Sequence, residues 1–206
     1  MSTSASSPKR VVLAVSGASG ACYGVHSLRM LVDAGVEVDL IYSNAAKRVL
    51  LEEMDIRLEQ DPAVLLAEGQ SASGIHWHDH KDIGAAPASG SSKAEAVFIV
   101  PCSLTTIAGI ASGGAGNLIE RAAQVALKEG KKLIVVPRET PLSRLHLDNL
   151  SRLAWAGATI LPASPGFYHR PQSLEDLVNQ LCSKIMGVCG IPQSRVPSWE
   201  GSKPAS

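Results

Sequence analysis

Residues 11–20 read Val-Val-Leu-Ala-Val-Ser-Gly-Ala-Ser-Gly. The apolar run, dominated by β-branched valines, reads as a strand covered on both faces. Small residues, Ser16 to Gly20, follow at once, and a helical pattern runs from Ala21 to about Ala34, where Gly35 supplies the stop. A strand that is apolar on both sides and feeds a helix through a tight turn belongs in a parallel sheet with helices above and below it. The turn has a chemical reading too. Gly17 and Gly20 let backbone approach a ligand, the first N–H groups of the helix lack partners, and the helix dipole favours negative charge. The loop is therefore a candidate phosphate or flavin site, or simply a βα turn with small residues for packing. Gly17-Ala18-Ser19-Gly20 lacks the Gly-x-Gly-x-x-Gly spacing of dinucleotide sites, and no Gly-Lys-Ser/Thr follows as a P-loop needs.

The alternation continues along the chain. Residues 36–42, 96–100, 132–136 and 158–161 read as further strands. Between them, helices are expected at 44–54 behind Ser43, briefly after Asp61-Pro62, and at 102–111, 119–128, 146–156 and 174–188, the last behind Ser173. Residues 69–93, rich in Gly, Ser, Ala and Pro, read as the longest irregular stretch. The expected fold is α/β: a three-layer, doubly wound, mainly parallel sheet, Rossmann-like (flavodoxin-like), in one domain. Residues 1–9 are expected to be a disordered lead-in, 10–190 the folded domain, and 191–206 an extended tail.

Nineteen Lys and Arg balance nineteen Asp and Glu, so no general field favours nucleic acid or an anionic membrane. No apolar run approaches the roughly 20 residues that span a bilayer. Cys22, Cys102, Cys182 and Cys189 form no Cys-x-x-Cys pair and read as reduced thiols of a cytoplasmic protein. Cys22 falls in the first turn of the first helix, where the dipole could lower its pKa or burial could make it an inert core residue.

Ligands of doubly wound sheets sit outside the carboxyl ends of the strands. The polar clusters fall there: Ser16 to Gly20, Ser43-Asn44, Cys102 to Thr106, Arg138-Glu139 and Ser164 to Arg170. Ser103, Thr105 and Thr106 open a helix with hydroxyls, suited to a phosphate or a flavin edge and equally to helix capping. Arg121, Lys128, Arg138, Tyr168 and Lys184 could clamp a phosphate or be ordinary surface groups. Arg121 and Lys128 are seven apart and share a helical face. Glu139 beside Arg138 is a candidate acid, base or phosphate orienter, or half of a structural ion pair. Glu53 follows Glu52 near a helix end, where solvation is the commoner fate. On a strand, His76, His78 and His80 would share one face and could ligate zinc or copper; the expected metal content is nonetheless none.

Taken in order, Val15 to Gly24 (VSGASGACYG), Pro87 to Ser91 (PASGS), Pro101-Cys102-Ser103, Leu118 to Ala123 (LIERAA), Val136 to Pro141 (VPRETP) and Pro165 to Ser173 (PGFYHRPQS) resemble the UbiX-type flavin prenyltransferases over about residues 10–192. The resemblance implies transfer of a dimethylallyl group from dimethylallyl phosphate to N5 and C6 of reduced FMN, without metal, giving the prenylated FMN used by UbiD-type decarboxylases. It implies FMN contacts from Gly17, Ala18, Ser19, Ser43, Ser103, Leu104, Thr105, Thr106 and Arg138. It implies a prenyl-phosphate grip from Arg121, Lys128, Tyr168 and Lys184, with Trp199 near a neighbour's site, and proton handling by Ser19, Glu53 and Glu139. It also implies a dodecamer with sites at subunit contacts. The first block is shared with flavin-dependent cysteine decarboxylases, so such a decarboxylase, or a partner protein of an aromatic acid decarboxylase, is the alternative.

Overall fold

A computed structural model describes residues 8–196. The elements, in chain order, are β1 (Arg10–Val15), α1 (Ala21–Asp33), β2 (Glu37–Tyr42), α2 (Asn44–Met54), β3 (Ile75–Asp79), β4 (Ala96–Cys102), α3 (Leu104–Ala111), α4 (Leu118–Lys128), β5 (Lys132–Pro137), α5 (Arg144–Trp155), β6 (Thr159–Ile160) and α6 (Leu174–Val188), with single 3-10 turns at Pro62–Leu65 and Ala86–Ala88. The strands form one sheet in the order β3-β2-β1-β4-β5-β6, every neighbouring pair parallel. The order reverses between β1 and β4, which makes that junction the topological switch point.

The valine-rich strand is central and fully covered, as its composition demands. Val11, Leu13 and Val15 face a core shared with Val25 and Leu28 of α1, Leu50 of α2 and Leu181 and Ile185 of α6. Val12 and Ala14 face a second core with Ile107 of α3, Ala122 and Ala126 of α4, and Leu153 of α5. Helices thus layer both faces, and the doubly wound expectation holds. Small polar residues cap five of the six α-helices: Ser43, Ser103, Asn117, Ser143 and Ser173 each accept a backbone N–H of the first turn, whereas α1 follows Gly20 and has no side-chain cap of its own.

Three differences from the sequence reading matter. Residues 69–93 are not wholly irregular, since Ile75–Asp79 forms the edge strand β3. Ile75 and Trp77 pack against the first core while His76 and His78 point the other way, so the alternation was present but carried by histidines. β4 runs through Pro101 to Cys102 rather than ending at the proline, so α3 starts at Leu104. α5 starts two residues early, at Arg144, because Ser143 and His146 form a capping box there.

Candidate functional site

The loops after β1, β2, β4 and β5 converge at the carboxyl edge of the sheet. Beyond the last β1–β4 pair, Ala14 with Ile99, the strands diverge. Ser16 bridges the gap, its N–H donating to the Pro101 carbonyl at 3.2 Å. On the other side, Ser43 N–H donates to the Val15 carbonyl at 3.0 Å. A Cβ added to Gly17 would collide with the Ala45 Cβ at the start of α2, so only glycine lets the two loops pack this closely. Arg138, just after β5, donates from Nε to the Ser19 carbonyl at 3.1 Å. Gly17, Ala18, Ser19, Ser43, Ser103 to Thr106 and Arg138 therefore lie around one crevice at the switch point. At α3 the Ser103 hydroxyl takes the Thr106 N–H and lies 3.1 Å from the Thr106 hydroxyl. The first-turn N–H groups of Leu104 and Thr105 have no partner inside the helix.

The start of α1 does bind an anion, and the anion is a side chain. Glu53, near the end of α2, reaches across to accept the N–H of Ala21 at 2.8 Å and that of Gly20 at 2.9 Å. The Ser19 hydroxyl also favours the charged form of the same carboxylate. Partial burial pushes the Glu53 pKa up, but the Ser19 hydroxyl, the Ala21 and Gly20 hydrogen bonds and the Arg138 charge outweigh it and bring the carboxyl below its ordinary range. This corrects two expectations. The α1 N-terminus is not open to a ligand phosphate, and Glu53 is not merely solvated, whereas Glu52 is, in an exposed pair with Arg48. Glu139 is exposed and accepts the N–H of Thr140. With Pro137, Arg138, Leu142 and Ser164 it lines a cavity of about 220 Å3 between the ends of β5 and β6.

Arg121 and Lys128 are held at a separate place in the chain. Arg121 donates from Nε to the Ala88 carbonyl, and Lys128 pairs with Glu129 at 2.6 Å. A Cβ on Gly90 would lie 3.2 Å from Lys128 Nζ, so the Ser89-Gly90-Ser91 turn runs past both cations as a second polar cluster. That turn, part of the Pro87 to Ser91 block, carried no expected role, although its small residues were the signal. Tyr168 lies on the exposed loop before α6, its ring 4.0 Å from that of His169. Lys184 is exposed on α6, about 15 Å along the helix from its start. Trp199 lies outside the described residues.

On the histidine face of β3, His78 is held by a buried carboxylate. His78 Nε2 lies 2.7 Å from Oδ1 of the buried Asp39, which also takes two hydrogen bonds from Arg10 at 2.6 and 2.8 Å. Burial pushes Asp39 up, but His78 and Arg10 outweigh it and bring the carboxyl down to about 2. A guanidinium on the same carboxylate opposes a metal ion, and no group of three ligating side chains that could hold one occurs among the described residues. The Cys22 thiol is half-buried. Desolvation and the neighbouring Glu53 charge push its pKa up, so the dipole-activated alternative fails.

A profile of the Flavoprotein family matches residues 1–186. The flavin prenyltransferase UbiX of Pseudomonas aeruginosa is 47% identical over 199 residues, covering 94% of this chain and 95% of that protein. The chain belongs to the UbiX-type flavin prenyltransferase family. Among solved structures, AnUbiX (PadA1) in complex with FMN and dimethylallyl pyrophosphate superposes with a TM-score of 0.87 at 35% identity, covering 95% of this chain and 99% of that one. A dodecameric FMN-dependent UbiX-like decarboxylase from Escherichia coli O157:H7 gives 0.84 at 33% identity, covering 93% and 100%. Among the described residues no helix is long and apolar enough to cross a membrane.

Proposed function

We propose that this protein is a flavin prenyltransferase that joins the dimethylallyl group of dimethylallyl phosphate to N5 and C6 of reduced FMN and so supplies prenylated FMN to a UbiD-type decarboxylase. The observation that carries the reading is the crevice at the β1–β4 switch point, walled by Gly17 to Ser19, Ser103 to Thr106 and Arg138, in a chain 47% identical to a named member of the family. The residues fit FMN: the hydroxyl-capped starts of α2 and α3, at Ser43 and at Ser103 to Thr106, offer outward N–H groups to its phosphate.

Reduced FMN supplies the nucleophilic N5 and C6. The allylic C–O bond breaks as phosphate leaves, a proton departs from N5, one is delivered to the alkene, and one departs from C6 as the ring closes. Glu53, whose ionised form Ser19 favours, makes the Ser19 hydroxyl the relay facing the crevice. Glu139 stands beside Arg138 at the opposite lip and orients or protonates the leaving phosphate. Arg121, Lys128, Tyr168 and Lys184 grip that phosphate and stabilise its charge as it leaves, with Trp199 as a lid over a neighbour's site. Arg121 and Lys128 contact the Ala88–Gly90 segment and not their own crevice, so they serve a neighbouring subunit's site in a dodecamer. Residues 10–190 carry this chemistry, with 1–9 as lead-in and 191–206 as tail, and the four unpaired thiols suit the cytoplasm.

Anaerobic incubation with reduced FMN and dimethylallyl phosphate, followed by mass spectrometry, tests the reading. A flavin carrying one extra five-carbon unit is expected. Bound FMN without adduct would shift the assignment to the decarboxylase or partner-protein alternative.

A further inference from the structure

Ser16 has a place in the fold that its sequence position does not announce. It is 2% exposed, so it does not reach a ligand. Its Oγ accepts the Ser103 N–H at 2.7 Å and lies 3.3 Å from the Ser103 hydroxyl and 3.4 Å from the Pro101 carbonyl. A serine hydroxyl has one proton to give. With the Ser103 N–H already accepted, that proton goes to the Ser103 hydroxyl or to Pro101, and either choice ties β1 to the end of β4. The tie adds to the one backbone bond at this point, from the Ser16 N–H to the Pro101 carbonyl at 3.2 Å, where the regular ladder has ended. The β1–β4 ladder stops at Ala14 and Ile99, and Pro101 has no N–H to continue it.

On one side of Ser16 the chain runs directly into Gly17, Ala18 and Ser19. On the other, hydroxyl contacts lead through Ser103 to Thr106. One buried hydroxyl thus stands between both walls of the crevice. We infer that Ser16 is a positioning residue for the transfer, whose hydroxyl sets the gap between the β1–α1 loop and the start of α3 and so fixes the ring's distance from Ser19. The inference rests on the flavin reading above. Geometry of this kind is costly to lose, since a misplacement near 1 Å between reacting groups lowers rates by about a hundredfold.

The test uses the assembled protein with Ser16→Ala and Ser16→Thr, measuring kcat and KM for dimethylallyl phosphate at saturating reduced FMN, the absorption spectrum of bound FMN, and the melting temperature. Ser16→Ala is expected to lower kcat about tenfold or more, leave KM for dimethylallyl phosphate within twofold, and alter the shape of the bound-flavin band. Ser16→Thr, which keeps the hydroxyl, is expected to recover most of the rate. If the alanine protein does not fold, Ser16→Cys, a weak acceptor of similar size, is read for the same loss of kcat. A folded Ser16→Ala or Ser16→Cys variant with full kcat and an unchanged spectrum overturns the role of Ser16 alone, even if its melting temperature falls. Wild-type protein that binds no FMN overturns the flavin reading and this inference with it.

Discussion

Replacing Glu53 by glutamine isolates the charge at the start of α1. The amide keeps an acceptor for the N–H groups of Gly20 and Ala21 but removes the anion from the positive end of the helix dipole. An anion at that position contributes about 0.3–1 kcal/mol, and hydrogen bonds to a charged acceptor are worth about 1 kcal/mol more than neutral ones. Glu53 is exposed, which places the total at the low end, near 1 kcal/mol at neutral pH. For a chain of this length that is a fall of about 3 °C in melting temperature, and about twice as much for Glu53→Ala, which loses the acceptor as well. The pH dependence is the sharper readout. Because folding depresses this carboxyl below 4.5, its contribution is fully present above that pH and disappears as pH falls through the folded value. Calorimetry from pH 7 to pH 3, at one protein concentration because assembly shifts melting points, should show the variant and wild-type curves converging in acid. A difference that stays constant over that range would mean the carboxylate does not hold the helix start as an anion.

Asp39→Asn is expected to destabilise the fold by about 3 kcal/mol in chemical denaturation, because Arg10 and His78 lose the buried charge they share; stability near that of wild type would place the network in solvent. The wild-type contribution of Asp39 should persist above pH 3.8 and drain away as pH falls through about 2, read from the acid limb of the unfolding curve. Gly17→Ala should weaken FMN binding about tenfold in equilibrium titration, since the added carbon collides with Ala45; unchanged affinity would mean the loops can part. Tyr168→Phe should raise KM for dimethylallyl phosphate while leaving the FMN dissociation constant unchanged, and equal loss of both would remove Tyr168 from the phosphate grip. Subunits of inactive Arg121→Ala and inactive Glu139→Gln, refolded together, should recover roughly a quarter of wild-type activity if sites are shared between subunits, and none if each chain is self-sufficient.

The fold was legible wherever hydrophobic pattern and punctuation agreed. β1, its glycine turn and α1 are readable from residues 11–35 because a twice-covered strand has few alternatives. β3 was hidden because its outward positions are histidines that pair with Asp39 and Glu37, so polarity masked the period of two. Glu53 was unreadable for another reason. Its partners lie 32 and 33 residues away, and only the packing of α2 beside α1 brings them together. The shared face of Arg121 and Lys128 followed from helical spacing, but the surface that face looks toward depends on the Ala88–Gly90 turn, which sequence spacing does not position.

The carboxylate at the start of α1 also acts as a compass. With Glu53 lodged there, the positive end of α1 is already neutralised, and a phosphate entering on that side would meet a like charge. The starts of α2 and α3, capped by neutral hydroxyls, carry no such penalty. Under the flavin reading, a molecule with one charged end and one flat neutral end can therefore lie in the crevice in only one direction, ring toward Ser19 and tail toward the hydroxyls. A side chain that makes no contact with the tail would then decide which end of the substrate reacts.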